Sequence, residues 1–167
     1  MSAASKAQPG TKGLARSQAR LAAVQALYQM DVAETDLAAV IEEFKAHRLG
    51  AGEDGGADAG TGHAADTGHF AEVLKGVVRR QREIDPLIDQ QLAQGWRLTR
   101  IDSILRAILR AGAFELVELS AVPPRVVISE YVEVAHAFFE GDEPRVVNGV
   151  LDGLARKMRP GELPERG

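Results

Sequence analysis

The chain has 167 residues, a net charge of −4 and no cysteine. This length suits one domain of ordinary size, which can bury a core without disulfides or bound metal. The absence of cysteine excludes disulfide bonds, thiol catalysis and cysteine-ligated zinc, and it fits a reducing compartment. Since the sequence shows neither a signal peptide nor a run of about 20 apolar residues, we expect a cytoplasmic protein without membrane contact.

The positive and negative charges are unevenly distributed along the chain. Lys6, Lys12, Arg16 and Arg20 all precede the first acidic residue, Asp31. Such a separation predicts an anionic partner for the N-terminal part and a different kind of partner for the acidic remainder. Because residues 1–13 are poor in large apolar side chains, we expect them to form a disordered basic arm.

Two helices and a long loop are predicted next. The first helix begins near residue 14, with Leu14, Leu21, Val24 and Tyr28 on one face, and the second covers about residues 36–48. Residues 50–68 are mostly Gly, Ala and Asp and have little to bury, so we expect a flexible loop.

Three residues in and after this loop have a spacing that resembles a metal site: His63, Asp66 and His69. No scaffold is predicted around them, and glycine is abundant there, so we expect neither a metal nor another cofactor.

The periodicity of apolar residues resumes near Phe70 and predicts a third helix. Asp85 followed by Pro86 is typical of an N-cap and first helical position, which predicts a fourth, short helix ending near Gly95. The boundary would divide one domain, residues 14–160, into an N-terminal half of about residues 14–84 and a C-terminal half of about 85–160.

Residues 98–119 form the longest stretch of unbroken helical periodicity and predict a central helix covered on two sides. Thr99 and Asp102 resemble a capping box at its start. Glu115 lies within the apolar arc, so its carboxylate must find a buried partner. The opposite face carries Ser103, Arg106, Arg110 and Phe114, and this combination predicts either a solvated face or a docking face.

Two further helices are predicted after Pro123 and after Asp142, followed by a polar tail at residues 161–167. Gly149 and Gly153 lie one turn apart in the last helix, where glycine costs about 1 kcal/mol relative to alanine. We expect this pair to admit a closely packed neighbouring helix. Seven helical segments without a convincing strand predict an all-α protein.

Four blocks of sequence, in the same order and spacing, resemble the NusB family of transcription antitermination factors: VQALYQM, WRLTRIDSILRAILRAGAFEL, ISEYVEVA and VVNGVLD. The resemblance covers about residues 16–160. It implies a compact seven-helix fold of two three-helix halves without catalytic activity. It also implies binding to boxA RNA of nascent transcripts together with NusE, a ribosomal protein, in a complex that helps RNA polymerase resist termination, chiefly on ribosomal RNA operons.

Carried onto this sequence, the resemblance and the basic arm suggest an RNA-binding surface and one position for the protein partner. Tyr28 could stack on a base or belong to the core, and Gln25 could read a base edge or be a solvated amide. The arginines could equally form a solvated helix face or surface ion pairs. The predicted RNA contacts are Lys12, Arg16, Arg20, Gln25, Tyr28, Arg110 and Arg145, and the predicted partner contact is Asp142.

The sequence departs from the family pattern at Ser17 and Gln18, where arginines are common, and at Val146, where an aromatic residue is expected. Both departures imply weaker intrinsic RNA affinity and more reliance on the protein partner. The main alternative is a helical adaptor that binds only proteins. A helical domain of an RNA cytosine methyltransferase is less favoured, since the 167 residues leave no room for a catalytic half.

Overall fold

The computed structural model describes residues 11–47 and 65–165, and only the backbone of Thr11 and Lys12. These residues form six α-helices and no strand: α1 (Thr11–Ala33), α2 (Leu37–His47), α3 (Thr67–Gln91), α4 (Ser103–Glu118), α5 (Pro124–Phe138) and α6 (Glu143–Met158). The predicted all-α class is confirmed. Of these described helices, none is long and apolar enough to cross a membrane.

The predicted third and fourth helices are one helix, α3, so the described residues contain six helices where seven were predicted. Pro86 lies inside α3 with its ring exposed. A proline there removes one helical hydrogen bond and costs about 3 kcal/mol in an unsupported helix. Ile84 and Ile88, on either side of it, are buried in the core and hold the backbone in place. Packing therefore outweighs the local N-cap signal.

Two other boundaries differ from the prediction. α1 begins at Thr11, so the end of the predicted arm is helical. Asp66 caps α3 by accepting a hydrogen bond of 2.9 Å from the backbone N–H of His69, and α3 therefore starts inside the predicted loop of residues 50–68. The rest of the predicted arm, most of the predicted loop and His63 lie outside the described residues.

The central helix is α4, which packs against α1, α3, α5 and α6. The carboxylate of Asp102 caps it by accepting hydrogen bonds from the backbone N–H groups of Ile104 and Leu105. Thr99 does not cap α4, because it lies in a turn before the helix, next to buried Leu98. The predicted helix thus begins several residues later than expected.

Phe114 is buried, so the prediction that it lies opposite the apolar arc of α4, on a solvated or docking face, is wrong. A Cβ atom added to Gly76 of α3 would lie only 2.1 Å from Phe114 Cζ. The ring therefore packs directly against the glycine backbone of the neighbouring helix. Helical periodicity locates an apolar arc, but the number of helices around α4 determines how wide that arc becomes.

The buried face of α1 consists mostly of small residues and matches the predicted stripe only in part: Val24 is buried and Leu21 is partly buried. Leu14 and Tyr28 are exposed. Small side chains let α1 approach α3 and α4 closely, which a face of leucines would not allow. The buried apolar residues of α1 are Ala19, Ala22, Ala23, Val24, Ala26 and Leu27.

The two glycines of α6 have different surroundings. A Cβ atom at Gly153 would lie 2.2 Å from the side-chain oxygen of Gln91, so this glycine does admit the end of α3, as predicted. A Cβ atom at Gly149 would meet nothing within 4 Å. The prediction of a close neighbouring helix is therefore wrong for Gly149, whose cost of about 1 kcal/mol relative to alanine is not offset by packing.

Candidate nucleic-acid interface

Arg20 is buried and forms an ion pair with Glu115. Arg20 Nε and Nη2 donate to the two carboxylate oxygens of Glu115 at 2.9 and 3.0 Å. Arg20 is 2% exposed and Glu115 is 0% exposed. The pair joins α1 to the central helix, and it confirms that Glu115 is buried with a partner.

Three further side chains surround this pair. The Tyr131 hydroxyl donates a hydrogen bond to Glu115 Oε2. His69 Nε2 lies 3.2 Å from Glu115 Oε1, without the alignment of a full hydrogen bond. Glu130 Oε1 lies 3.7 Å from Arg20 Nη1. The cluster therefore connects α1, α3, α4 and α5 through one carboxylate.

The pKa values in this cluster follow from burial and from the neighbouring charges. Burial alone would raise the pKa of Glu115, but His69 and Arg20 outweigh it and lower that pKa to about 2. Burial, together with the Glu115 carboxylate, raises the pKa of Tyr131 well above its usual range. Glu115 is therefore ionised and Tyr131 protonated at neutral pH.

These contacts contradict the prediction that Arg20 binds RNA. Its guanidinium is enclosed, and two of its nitrogens are already used by Glu115. Arg16 and Arg20 are four residues apart, which predicts that they share one face of α1. Arg16 is nevertheless exposed to solvent, whereas Arg20, one turn further along the helix, is buried. Arg20 holds the fold together, and phosphate cannot reach it.

Two other predicted contacts of α1, Arg16 and Tyr28, are exposed. The side chain of Arg16 is 48% exposed and makes only a loose ion pair with Asp66, at 3.7 Å. Tyr28 is 39% exposed, which favours the stacking interpretation over the core interpretation. Gln25 is half-buried. The side chain of Lys12 lies outside the described residues.

Ser17, which replaces an arginine of the family pattern, has a structural role in this chain. Its hydroxyl lies 2.9 Å from both carboxylate oxygens of Glu130 and 2.9 Å from the carbonyl oxygen of Gly13, so it can donate to either residue. The contact with Glu130 joins α1 to α5 beside the buried ion pair. An arginine here would add a second cation next to Arg20.

The two arginines on the face of α4 have acidic neighbours. Arg110 Nε and Nη2 donate to the carboxylate of Asp85 at 2.9 Å each, which leaves Nη1 outside that pair. Arg106 donates to the carbonyl oxygen of Leu98 at 3.2 Å and lies 3.4 Å from Asp31. Arg110 borders a cleft with Leu27 and Met30 of α1. Any contact of Arg110 with RNA must therefore share its guanidinium with Asp85.

Arg145 and Asp142 lie together at the start of α6. Both are exposed, and Asp142 occupies the N-cap position without a capping hydrogen bond from its side chain. They border one groove between α6 and the end of α3. The structure thus brings Asp142 and Arg145 together, while Arg16 and Arg110 border two other clefts.

Trp96 is an exposed aromatic residue that the sequence reasoning did not include among the candidate site residues. It is 44% exposed and lies in the same groove as Arg145. The sequence carried a signal for it, because Gly95 marks a turn and Arg97 follows directly. Gly95 has a φ of 91°, a conformation that favours glycine.

The described residues thus form an all-helical scaffold with arginines and aromatic rings on its surface, which is typical of a binding protein. No group of three or more potential metal ligands occurs among them. The sequence profile described as NusB family matches residues 17–156, and the chain belongs to this family.

Related proteins support this membership. The chain is 54% identical over 144 residues to the transcription antitermination protein NusB of Allorhizobium ampelinum, covering 86% of this chain and 88% of that protein. NusB of T. maritima has the same fold, with a TM-score of 0.71 and 28% identity over 88% of this chain and 94% of that one. A structure of the antitermination factors NusB and NusE with double-stranded RNA also shares the fold, with a TM-score of 0.66, 23% identity and coverage of 86% and 98%.

Proposed function

We propose that this protein is a transcription antitermination factor that binds boxA-type RNA of nascent transcripts together with the ribosomal protein NusE. In that complex it helps RNA polymerase resist termination, chiefly on ribosomal RNA operons. The observation that carries the proposal is the 54% identity to a transcription antitermination protein, of which this chain covers 88%. A NusB of the same fold has been seen with NusE and RNA.

The proposed RNA contacts are those that the sequence indicates, except Arg20. Arg16 and Arg145 present exposed guanidinium groups, whose forked donors suit phosphate oxygens. Exposed Tyr28 offers a ring on which an unpaired base can stack. Arg20 is not among them, because it is buried. The proposed set is Lys12, Arg16, Gln25, Tyr28, Arg110 and Arg145.

The proposed protein contact is Asp142, whose carboxylate is exposed and free of a capping bond. The chain carries 24 acidic and 20 basic residues, and its first 30 residues contain no acid. The acidic excess therefore lies after residue 30, and it suits a basic ribosomal protein better than it suits RNA.

Three further features belong to the proposal. The protein acts by binding and not as an enzyme. It acts in the cytoplasm, where nascent bacterial transcripts are made. Residues 14–160 form one RNA-binding domain, with a basic arm before it and a short tail after it.

The direct test is binding of a labelled boxA RNA and of a scrambled RNA of equal length, each with and without NusE. We expect boxA to bind more tightly than the scrambled RNA, and NusE to tighten boxA binding. Linkage requires that the RNA tighten NusE binding by the same factor. Binding of NusE without any RNA binding would contradict the proposal and favour the protein adaptor.

A further inference from the structure

The groove between the end of α3 and the start of α6 is lined by one aromatic side chain and by a glycine of α6. It encloses about 440 Å³, and its lining includes Trp96, Arg145 and Val146. Gly149 belongs to the α6 surface of this groove, and a Cβ atom there would meet nothing within 4 Å. A flat group can therefore approach the backbone of α6 closely.

Gly149 is otherwise unexplained. Glycine in the interior of a helix is destabilising, and it is retained where a backbone must turn sharply or where another group must come close. The helix is regular at this position, and no neighbouring helix fills the space above it. A ligand that lies on the helix backbone accounts for the glycine.

The turn that carries Trp96 is anchored to α3 and α4 through Leu98. The backbone N–H of Leu98 donates to Asp89 of α3 at 2.9 Å, and the carbonyl oxygen of Leu98 accepts from Arg106 of α4 at 3.2 Å. The side chain of Leu98 is buried. These anchors, together with a hydrogen bond of 2.9 Å from the backbone N–H of Trp96 to the carbonyl oxygen of Ala93, hold the backbone of this turn, so little backbone entropy is lost when a ring stacks on Trp96.

The charges around the groove suit a nucleotide. Arg145 at its edge and Arg97 beside Trp96 are exposed, and their side chains form no hydrogen bond or ion pair with the other described residues. Both can meet a phosphate. Asp142, also at the edge, would repel phosphate but can accept a hydrogen bond from the amino group of a base.

We infer that this groove, defined by Trp96, Arg145 and Gly149, binds one unpaired base of single-stranded RNA, which stacks on Trp96 above the bare backbone of Gly149 while Arg145 contacts its phosphate. The inference rests on the proposed function, since the RNA is the one bound there. It adds an aromatic contact to a groove in which Val146 stands where the family pattern has an aromatic residue.

The chain contains a single tryptophan, so tryptophan fluorescence, excited selectively over the two tyrosines, reports on this groove alone. Titration with single-stranded boxA RNA should quench Trp96 along the same curve that labelled-RNA anisotropy gives, whereas a duplex of the same sequence should not. Trp96→Ala should weaken binding by about 5-fold or more, and Trp96→Phe should retain most of it.

Variants at Gly149 separate a ligand role from a structural one. Gly149→Ala should raise Tm by about 2–4 °C, because it removes a helix-interior glycine into open space. Gly149→Leu should fill the groove and weaken RNA binding by about 5-fold or more, without loss of Tm. Asn148 is also an exposed residue of α6, but it lines a different groove. Asn148→Leu should therefore leave RNA binding unchanged.

RNA binding without quenching, with Trp96→Ala and Gly149→Leu as active as the parent, would overturn the inference and leave the proposed function intact. Quenching by NusE alone and not by RNA would also overturn it, in favour of a protein-binding groove. If no RNA binds under any condition, the proposed function and the inference fail together.

Discussion

At the scale of single residues, one buried carboxylate organises the contact between four helices. Glu115 meets Arg20, Tyr131 and His69, which belong to three different helices. A buried ion pair adds little net stability compared with an apolar pair, but removal of one partner leaves an uncompensated charge. The cluster therefore determines the relative position of the four helices more than it adds to the free energy of unfolding.

The pKa of Glu115 leads to a prediction about acid stability. The group holds its charge down to about pH 2 in the folded protein, whereas in the unfolded chain it is protonated near pH 4.5. Its contribution to the free energy of unfolding, on the order of 3 kcal/mol, is therefore present above pH 4.5 and is lost as the pH falls towards 2.

The variant Glu115→Gln isolates this contribution from those of other carboxylates. It should be less stable than the parent by about 3–5 kcal/mol at pH 7, because Arg20 loses its counter-charge. Urea unfolding should show the same difference at pH 7 and 5 and a smaller one at pH 4 and 3. A difference that stays constant with pH would mean that Glu115 is not ionised in the folded protein.

The sequence predicts the burial of a single residue better than it predicts a contact between residues that are far apart along the chain. The position of Glu115 in the apolar arc was enough to predict burial and the need for a partner. Its partner was not predictable, because Arg20 lies 95 residues away and has the same local pattern as solvated Arg16. Only the packing of α1 on α4 distinguishes the two arginines.

At the scale of elements, the closest approach between α3 and α4 depends on Gly76. The ring of buried Phe114 occupies the space that a Cβ atom at this glycine would need. Gly76→Ala should therefore destabilise the protein by about 1–3 kcal/mol, although alanine is the better helix former. Thermal or urea unfolding measures the loss.

A second substitution tests this explanation. In the background Phe114→Leu, which makes room beside α3, Gly76→Ala should cost clearly less than it does in the parent. Equal costs in both backgrounds would show that the ring and the glycine do not interact.

Local signals predicted helix ends less well than helix faces. Asp85 and Pro86 look like a helix start, yet buried Ile84 and Ile88 carry α3 straight through them. In the turn before α4, Asp102 caps the helix and Thr99 does not. The sequence indicates which side chains are able to cap a helix. Tertiary packing determines which of these candidates does so.

At the scale of the whole molecule, the arrangement of charge should be visible in the salt dependence of RNA binding. Arg16→Ala should flatten the log–log slope by about 0.7, the value for one phosphate contact on a single strand. Arg125→Ala changes the net charge equally from an exposed site on α5 and should leave the slope unchanged. Both variants should keep the parent's stability within about 0.5 kcal/mol.

Fluorescence anisotropy at four or more salt concentrations measures these slopes. Arg20 should be left intact in this experiment, because its replacement would disturb the buried cluster and confuse binding with folding. Equal slopes for Arg16→Ala and Arg125→Ala would show that Arg16 makes no specific phosphate contact.

The buried pair of Arg20 and Glu115 also has a consequence for synthesis of the chain. Glu115 is translated 95 residues after Arg20, which at about 5–20 residues per second is a delay of roughly 5–20 s. During that interval α1 has emerged without the helix that will cover its alanine-rich face. Burying the charge of Arg20 before its partner exists would be costly, so we expect this arginine to make premature burial of the alanine-rich face less favourable.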